Sequence, residues 1–478
     1  MILAANNESS FEYDIHSLIK AFYPGEEVKV SEEISESEAD FTINFSGNKF
    51  CFSDKAGLFA NEAEVGEGTD RVEVKNILKR LIYQSLSKSL NVTLPWGDLT
   101  GIRPTKIATK LLNEKKSDSE ILDYMKKTYL VSDEKALLSI EIAKREAHVI
   151  DLIDKDKGYS IYIGIPFCPT TCLYCSFTSN PIVKYQERID EYIGCIEKEL
   201  AFTIKARQGK ILDTIYIGGG TPTSLDVGRL DKLLGMIERY VDVRKLKEFT
   251  VEAGRPDSID IDKLRVLKAH HVSRISINPQ TMNQKTLDII GRRHSVEDVV
   301  KAFTLARKVG MDNINADIIL GLPGEGEEEV LHTAEEIKKL SPESLTVHSL
   351  AIKRGSRLNE TLSDYKDMTV NTPRTMQIAE ELAYSLNLKP YYLYRQKNMA
   401  GNFENTGYAK EGAYGIYNIL IMEEVEPIIA LGAGSVTKII DKNTKPQRCD
   451  NVKDVSLYMD SIDEMIERKR VLFTLEDK

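Results

Sequence analysis

The residues from Ile161 to Thr178 read IYIGIPFCPTTCLYCSFT, and they decide how the rest of the chain is interpreted. They hold Cys168, Cys172 and Cys175, three of the six cysteines, in the pattern C-x3-C-x2-C. Three thiolates in one short loop can hold three corners of a [4Fe–4S] cluster and leave the fourth iron open to an outside ligand. A structural zinc site is the alternative, but it needs a fourth Cys or His nearby, and this loop has no histidine. The pattern therefore predicts a catalytic iron–sulfur cluster.

Length and charge set further limits. The chain has 478 residues, enough for two or three domains. Its 64 Lys and Arg against 74 Asp and Glu give a net charge of −10, which argues against a general nucleic-acid binder. No apolar run approaches the roughly 18 residues of a membrane span, and the N-terminus lacks the pattern of a signal peptide. The cysteines do not suggest a disulfide framework, and an exposed cluster needs a reducing setting, so we expect a cytoplasmic protein.

The first part of the chain has the pattern of a small α+β piece followed by helices. The elements expected there are a helix at Phe11–Phe22, a hairpin at 41–53, a helix at Val74–Leu90 and helical structure at 107–150. The stretch Leu94–Lys106 is rich in turn formers and contains Trp96, the only tryptophan. We interpret it as an interdomain linker that docks this aromatic side chain. The alternative is a flap over the active site in which Arg103 meets an anionic substrate.

From residue 160 onward, apolar strands alternate with amphipathic helices, a pattern typical of a parallel sheet with helices outside it. The strands are predicted at Ile161–Ile165, Thr214–Ile217, Glu248–Glu252, Arg274–Asn278, Asn313–Leu320 and Ser344–Leu350. Because about six units fall short of the eight of a full barrel, we predict an α/β fold with an open, partial (β/α)6 barrel. The predicted domains are an N-terminal α+β and helical domain at 1–155, the partial barrel at 156–352, and a C-terminal extension at 353–478 that covers the barrel mouth.

The motif Y-x-G-I-P-F-C-x3-C-x-Y-C, followed by Gly218-Gly219-Gly220-Thr221-Pro222, resembles that of radical S-adenosylmethionine (SAM) enzymes. More narrowly, it resembles the oxygen-independent coproporphyrinogen III oxidases, in their coproporphyrinogen dehydrogenase branch. The resemblance covers roughly residues 155 to 440 and implies the radical SAM barrel with two cofactors, a [4Fe–4S] cluster and SAM. In that family SAM chelates the open iron, and one electron from the cluster cleaves it to methionine and a 5'-deoxyadenosyl radical.

The resemblance also implies residues that bind SAM. They lie at or near the carboxyl ends of the predicted strands, where parallel α/β folds gather their chemistry. At positions that match the family they are Tyr162, Tyr174, Gly218, Gly219, Gly220, Thr221, Glu252, Gln280, Arg292, Asp317, Ala351 and Val436. Arg292 is expected on the helix after the fourth strand. Asp317, inside an apolar strand, needs a partner, and the ribose hydroxyls of SAM would suit it.

Two residues depart from the family pattern beside the expected cluster. Gly164 stands where the family has a histidine, and Phe177 stands where the established decarboxylases have a fourth cysteine. A related haem chaperone also lacks that cysteine, but it carries an H-N-x-x-Y-W stretch that this chain does not have. His348, near the end of the sixth strand, is a candidate proton donor.

By resemblance, the reaction is the oxidative decarboxylation of two propionates of coproporphyrinogen III to vinyl groups, giving protoporphyrinogen IX in haem biosynthesis. The alternatives are a haem-binding chaperone and a radical SAM enzyme for another tetrapyrrole. We expect a monomer that takes electrons from a donor such as flavodoxin or ferredoxin. Cations near the expected mouth would either bind propionates or form a solvated face; they are Arg354, Arg357, Arg395 and Lys397.

Overall fold

The computed structural model describes residues 1–101, 103–176, 179–351, 356–360, 371–396, 403–440 and 446–476. By contacts between Cα atoms, the chain divides into two compact units. The first consists of Met1–Lys144 with Leu393–Glu404, and the second of Arg145–Tyr392 with Asn405–Lys478. The predicted domains, with limits at 155 and 352, were defined as separately folding parts. This division stays a prediction.

The first unit contains a mixed sheet and several helices. In chain order its described elements are β1 (Ile2–Asn6), α1 (Glu12–Phe22), β2 (Val28–Ser31), β3 (Phe41–Ser46), β4 (Lys49–Asp54), β5 (Ala60–Glu64), α2 (Arg71–Leu90), α3 (Thr105–Asn113), α4 (Asp118–Tyr129) and α5 (Asp133–Ile150). The strands lie in the order β2-β1-β3-β4-β5, and β1 is parallel to both β2 and β3. The two predicted helices and the predicted hairpin are confirmed, whereas β1, β2 and β5 were not anticipated.

The hairpin forms because its turn residues suit the twist of the strands. Gly47 and Asn48 both have positive φ, 56° and 62°, which is the conformation of a two-residue type I′ turn. The apolar side chains of β3 and β4 then point to one face of the sheet, where they join buried residues of α1 and α2 in a core. Alternating burial along β4 confirms that this sheet has one covered and one more exposed face.

Trp96 is fully buried inside the first unit, and the interpretation of Leu94–Lys106 as an interdomain linker stays a prediction. Its indole Nε1 donates a hydrogen bond to Glu404 Oε2 at 2.7 Å, so the buried N–H is satisfied. Arg395 lies against the same ring, 5.7 Å from its centroid, and donates to the carbonyl of Leu99. Because Arg395 is buried, a solvated face is the wrong interpretation for this cation, and burial lowers its pKa to about 10. The flap interpretation for Arg103 stays a prediction.

The second unit carries the alternating strands and helices. Its described elements up to residue 360 are β6 (Gly158–Ile165), β7 (Phe167–Cys168), β8 (Asn180–Pro181), α6 (Ile189–Ala206), β9 (Ile211–Gly219), α7 (Val227–Tyr240), β10 (Glu248–Glu252), α8 (Ile261–Ala269), β11 (Arg274–Gln280), α9 (Gln284–Ile289), α10 (Val296–Lys308), β12 (Ile314–Leu320), α11 (Glu327–Leu340), β13 (Ser344–Ser349) and α12 (Arg357–Glu360). Further along follow α13 (Pro373–Ser385), β14 (Lys389–Tyr394), β15 (Asn405–Ala409), α14 (Ile416–Glu423), β16 (Ile428–Leu431), β17 (Val436–Ile439), β18 (Gln447–Asp450), α15 (Val455–Asp460) and α16 (Ile462–Glu476).

All six predicted barrel strands are confirmed, and they run parallel in the order β6-β9-β10-β11-β12-β13. Their near-continuous apolar sequences follow from burial on both faces, as in β12, where six of seven residues are buried. The α/β class and the partial barrel are therefore as predicted. Within the described residues, the sheet has eleven strands, because the chain after residue 352 adds strands at both edges.

The added strands were not anticipated. β16 pairs in parallel with β6, next to the strand that leads into the cysteine loop, and β17 and β18 continue that edge in antiparallel fashion. At the other edge β15 pairs antiparallel with β13. That the C-terminal residues also cover the barrel mouth stays a prediction. Among the helices of the described ranges, none is long and apolar enough to cross a membrane.

Candidate active site

The cysteine loop begins directly at the carboxyl end of β6 and is fixed by backbone contacts. β7 pairs with β8, which closes the loop at its base. In the middle of the loop, the Leu173 N–H donates to the carbonyl of Ile290 at 3.0 Å, and the Leu358 N–H donates to the carbonyl of Leu173 at 2.9 Å. The loop is therefore held between β6, the turn after α9 and α12, which gives its cysteines a defined position.

The three thiols share one partly buried environment, and none of them is in a disulfide. Cys168 Sγ lies 3.4 Å from Thr221 Oγ1. Burial raises the pKa of Cys168 to about 11, and the negative charges of Cys175 and Cys172 add to this, while the Thr221 contact opposes it. Among the residues that the structure describes, no three Cys, His, Asp or Glu side chains converge on one metal ion. A [4Fe–4S] cube does not need such convergence, since each thiolate ligates a different iron.

The glycine run after β9 packs tightly against the cysteine loop. The Gly220 N–H donates to the carbonyl of Ile165 at 2.8 Å, and the Thr221 N–H donates to that of Phe167 at 2.7 Å. These two N–H groups are therefore used to hold the loop, and the carbonyls of the run remain the candidates for contact with SAM. Gly219 has φ of +105°, a conformation that L side chains rarely adopt. A Cβ on Gly218 would lie 2.8 Å from the carboxyl carbon of Glu252, so only glycine leaves this space open.

Glu252 ends β10 inside the barrel, beside a group of tyrosines. The Tyr216 hydroxyl donates to Glu252 Oε1 at 2.6 Å. Burial raises the pKa of Glu252 to about 7, although the hydrogen bond from Tyr216 works in the opposite direction. The rings of Tyr162, Tyr216 and Tyr417 form a tyrosine stack, with centroids 6.2 Å apart for the first pair and 4.6 Å for the second. Tyr216 was not predicted, but its spacing of two from Gly218 places both on the same face of β9, which is a signal in the sequence.

Arg292 and Tyr174 form a second polar pair at this edge, and Gln280 ends β11. Arg292 donates from Nη2 to the Tyr174 hydroxyl at 3.0 Å and from Nη1 to the carbonyl of Asn278 at 2.7 Å. Arg292 lies in the turn between α9 and α10, so its predicted position on a helix is wrong. Gln280 has φ of +69°, and its buried Oε1 has no hydrogen-bond partner among the described residues. Strained backbone together with an unsatisfied buried acceptor is typical of a ligand contact.

Asp317 has protein partners, as a carboxylate in an apolar strand requires. Asn315 Nδ2 donates to its Oδ1 at 2.6 Å, and His348 Nε2 lies 3.6 Å from its Oδ2. Burial raises the pKa of Asp317, but the contacts with His348 and Asn315 outweigh burial and hold it below the usual value. Asp317 is therefore an ionised acceptor inside the barrel. The role of His348 as a proton donor stays a prediction.

The last two predicted SAM residues are Ala351 and Val436. Ala351 follows β13 at its carboxyl end, where the neighbouring Leu350 N–H donates to the carbonyl of Leu320. Val436 begins β17, is 43% exposed, and takes part in none of the side-chain contacts described above. In the glycine-rich turn before Val436, the Gly432 N–H donates to Glu199 Oε2 at 2.8 Å, and this hydrogen bond fixes the turn.

The structure describes only some of the residues that depart from the family pattern and of the cations expected near the barrel mouth. Phe177, Arg354 and Lys397 lie outside the described residues. The carbonyl of Gly164 accepts a hydrogen bond from the Tyr192 hydroxyl at 2.7 Å, and a Cβ at Gly164 would meet the carbonyl oxygen of Leu431 at an ordinary 3.4 Å. Arg357 is exposed at the start of α12.

These side chains fit a [4Fe–4S] cluster and SAM. Three thiols, which are typical iron ligands, lie beside the glycine cradle, the run Gly218–Gly220 in which a Cβ would fill the open space. The buried Oε1 of Gln280 lacks a donor, and SAM carries an ammonium group and ribose hydroxyls that can supply one. Because β6 and β9 to β13 are parallel, their carboxyl ends bring these groups to one edge of the sheet.

Comparison with known proteins identifies the family of this chain. Residues 162–337 match the Radical SAM superfamily. The chain is 42% identical over 404 residues to the oxygen-independent coproporphyrinogen-III oxidase-like protein HemZ of Bacillus subtilis, covering 83% of this chain and 80% of that protein. It is 40% identical over 195 residues to the haem chaperone HemW of the same organism, covering 41% and 51%.

A more distant relative gives the fold. The solved structure of coproporphyrinogen III oxidase (HemN) from Escherichia coli matches with a TM-score of 0.53 at 20% identity, over 70% of this chain and 73% of that one. At this identity the match supports the partial barrel and no more. The extent of the HemZ match, together with the cysteine loop and the glycine cradle, shows that this chain belongs to the radical SAM superfamily, among its HemN-like members, whose cofactors are a [4Fe–4S] cluster and SAM.

Proposed function

We propose that this chain is an oxidoreductase that oxidatively decarboxylates propionate groups of coproporphyrinogen III without oxygen. The observation that carries the proposal is the 42% identity to the HemZ protein, which is named as coproporphyrinogen-III oxidase-like and is matched over four fifths of both chains. The oxygen-independent coproporphyrinogen III oxidase of Escherichia coli supports it more weakly, with 26% identity over 41% of this chain. The product would be protoporphyrinogen IX, which places the enzyme in haem biosynthesis.

In this proposal Cys168, Cys172 and Cys175 hold the cluster. When bound, the cluster and SAM supply a carbon radical strong enough to remove a hydrogen atom from an unactivated carbon. The protein itself binds and orients the reactants. Asp317 is held ionised by His348 and Asn315, so it can accept hydrogen bonds from ribose hydroxyls, and Gln280 Oε1 can accept one more.

Glu252 and the tyrosine stack would form the inner wall of this site. Tyr216 fixes the carboxyl group of Glu252 through the 2.6 Å hydrogen bond, so the group presents one orientation to SAM. The stacked rings would exclude water around the reacting atoms. Exclusion of water prevents side reactions of a radical, which is what this chemistry needs.

Atoms and electrons balance for each propionate. A hydrogen atom would pass from the β-carbon to the carbon radical derived from SAM, which would become 5'-deoxyadenosine; the bond from the α-carbon to the carboxylate would then break, and CO2 would depart. The two carbons form the vinyl double bond, and one electron passes to an acceptor. In the sequence, Gly164 stands where the family has His, and Phe177 stands where the established decarboxylases have Cys, so we expect slower turnover and a visible tripropionate intermediate. We also propose a cytoplasmic monomer that receives electrons from flavodoxin or ferredoxin.

The test is anaerobic incubation of reconstituted protein with coproporphyrinogen III, SAM and a strong reductant. Mass spectrometry should show loss of one and then two CO2 units, and the Cys172→Ala variant should show neither. Substrate-stimulated 5'-deoxyadenosine without any loss of CO2 would contradict the proposal, because SAM would then be cleaved for another reaction.

A haem chaperone is the second candidate, and the 40% identity to HemW over 195 residues favours it. This match covers about half of the HemW chain, whereas the HemZ match covers four fifths of the HemZ chain. The two candidates differ in one measurable property. Tight binding of haem without substrate-dependent cleavage of SAM would select the chaperone, and the opposite result would select the enzyme.

A further inference from the structure

A buried arginine lies against the cysteine loop, and none of the roles proposed above uses it. Arg255 follows β10, three residues after Glu252, and is only 3% exposed. Its Nη1 lies 3.7 Å from Cys172 Sγ, and the same nitrogen donates to Thr170 Oγ1 at 3.0 Å and to the Thr170 carbonyl at 3.3 Å. One guanidinium nitrogen therefore contacts both the sulfur and the backbone of the loop.

The other side of the guanidinium is fixed by a carboxylate. Arg255 Nε and Nη2 donate to Asp257 Oδ1 and Oδ2 at 2.9 and 2.7 Å, a bidentate pair. This pair locks the guanidinium plane, so Nη1 stays directed at the loop. Asp257 also offsets part of the positive charge, but it does so from the far side of the guanidinium, and the nitrogen nearest to the sulfur is the one that Asp257 does not bind.

We infer that Arg255 sets the reduction potential of the cluster by donating a hydrogen bond to the sulfur of Cys172. The inference rests on the proposed ligand set. Reduction adds one electron to the cluster and makes it more negative, so a cation with an N–H directed at a ligand sulfur stabilises the reduced state and raises the potential. Because Arg255 is buried, solvent screens this charge weakly.

A second buried cation does not replace this contact. Arg292 also lies near enough to Cys172 for their charges to interact, but its hydrogen bonds go to Tyr174 and to the carbonyls of Gly254 and Asn278. Of these two arginines, Arg255 is therefore the one whose side chain reaches a ligand sulfur directly. Variants of Arg255 leave the hydrogen bonds of Arg292 in place, whereas Asp257 also interacts electrostatically with Arg292.

The test measures the midpoint potential of the reconstituted full chain by a redox titration that is followed by electron paramagnetic resonance. Arg255→Gln should lower the potential, because it removes the cation and leaves Asp257 behind. Asp257→Asn should raise it, because the guanidinium then keeps its full charge at the sulfur. Arg255→Lys should fall between Arg255→Gln and the wild type. Arg265→Gln is the matched control, an exposed arginine on α8 paired with Asp262, and it should leave the potential unchanged.

Iron and sulfide content separate failure of this inference from failure of the proposed ligand set. If the Cys172→Ala variant keeps a full cluster, the ligand set is wrong. If the wild type and Arg255→Gln both hold a full cluster with the same midpoint potential, the inference is overturned. If Arg255→Gln does not hold the cluster, the decision falls to Arg255→Lys, which keeps the positive charge but not the guanidinium geometry: a potential below that of the wild type supports the inference, and an unchanged or raised one overturns it.

Discussion

Replacing Gly220 by alanine should displace the cysteine loop from β9. A Cβ built on Gly220 lies 2.6 Å from the carbonyl oxygen of Phe167, 2.8 Å from that of Ile165 and 2.9 Å from the nitrogen of Phe167. All three are backbone atoms, so none can rotate away, and the strand that carries Cys168 has to move instead.

The energetic cost has two parts. Insertion of a methyl group into a packed site costs about 1–3 kcal/mol. The shift also strains the two hydrogen bonds from Gly220 and Thr221 to Ile165 and Phe167, each worth roughly 0.5–1.5 kcal/mol. Since the two costs overlap, we expect Gly220→Ala to lose about 2–4 kcal/mol of unfolding free energy and to bind less iron.

The matched control is Gly194→Ala. Gly194 lies inside α6, and a Cβ there meets no atom within 4 Å. Because alanine favours a helix interior over glycine by about 1 kcal/mol, this variant should be as stable as the wild type or more so. Urea unfolding followed by circular dichroism, with iron content after reconstitution, compares the two. Wild-type stability and a full cluster in Gly220→Ala would show that the close packing of loop and strand is wrong.

Four further outcomes are expected. Cys172→Ala should lose the cluster absorbance near 400 nm and its reactivity with SAM, whereas Cys195→Ala, outside the loop, should keep both. Asp317→Asn should weaken SAM binding about ten- to a hundredfold by calorimetry, because the ribose loses a charged acceptor; unchanged affinity would remove Asp317 from the site. Lys469→Met should lower the free energy of unfolding in urea by about 3–5 kcal/mol, since it leaves the fully buried carboxylate of Glu199 without its cation. A loss below 1 kcal/mol would contradict this. Burial raises the pKa of Glu426 to about 8 in the folded protein, from about 4.5 in the unfolded chain. The free energy of unfolding should therefore fall as the pH rises from about 4.5 to 8, and Glu426→Gln should reduce this dependence on pH.

The barrel strands were predictable from sequence because parallel strands buried on both faces appear as apolar runs bounded by turn residues. The cysteine loop was predictable for a similar reason, since spacing along the chain sets which thiols can share a cluster. The position of Arg292 was also within reach. Gly291, with φ of +73°, ends the turn after α9 just before it, and glycine at this place is a common signal of a helix end.

Contacts between distant segments were not predictable in the same way. β16 is a run of four apolar residues, too short to reveal its pairing with β6. In the sequence, nothing distinguishes Arg255 from other charged residues that follow a strand. Only the fold places it against Cys172, since the contact depends on the positions of two loops that follow different strands. Interpretation of residue types alone therefore predicted the three cysteines of the loop but not the arginine that contacts one of them.

The pairing of β6 with β16 has a consequence for the order of events during synthesis. The strand that leads into the cysteine loop is complete when Ile165 has been made, but its neighbour on one side begins only at Ile428. At roughly 5–20 residues per second, the ribosome needs about 13–50 s to make the residues between them. During that time one edge of β6 has no partner strand, and the cysteines beside it are open to oxygen, to iron donors and to aggregation. A factor that covers this edge of β6 during synthesis would therefore have to act on the nascent chain before Ile428–Leu431 has left the ribosome.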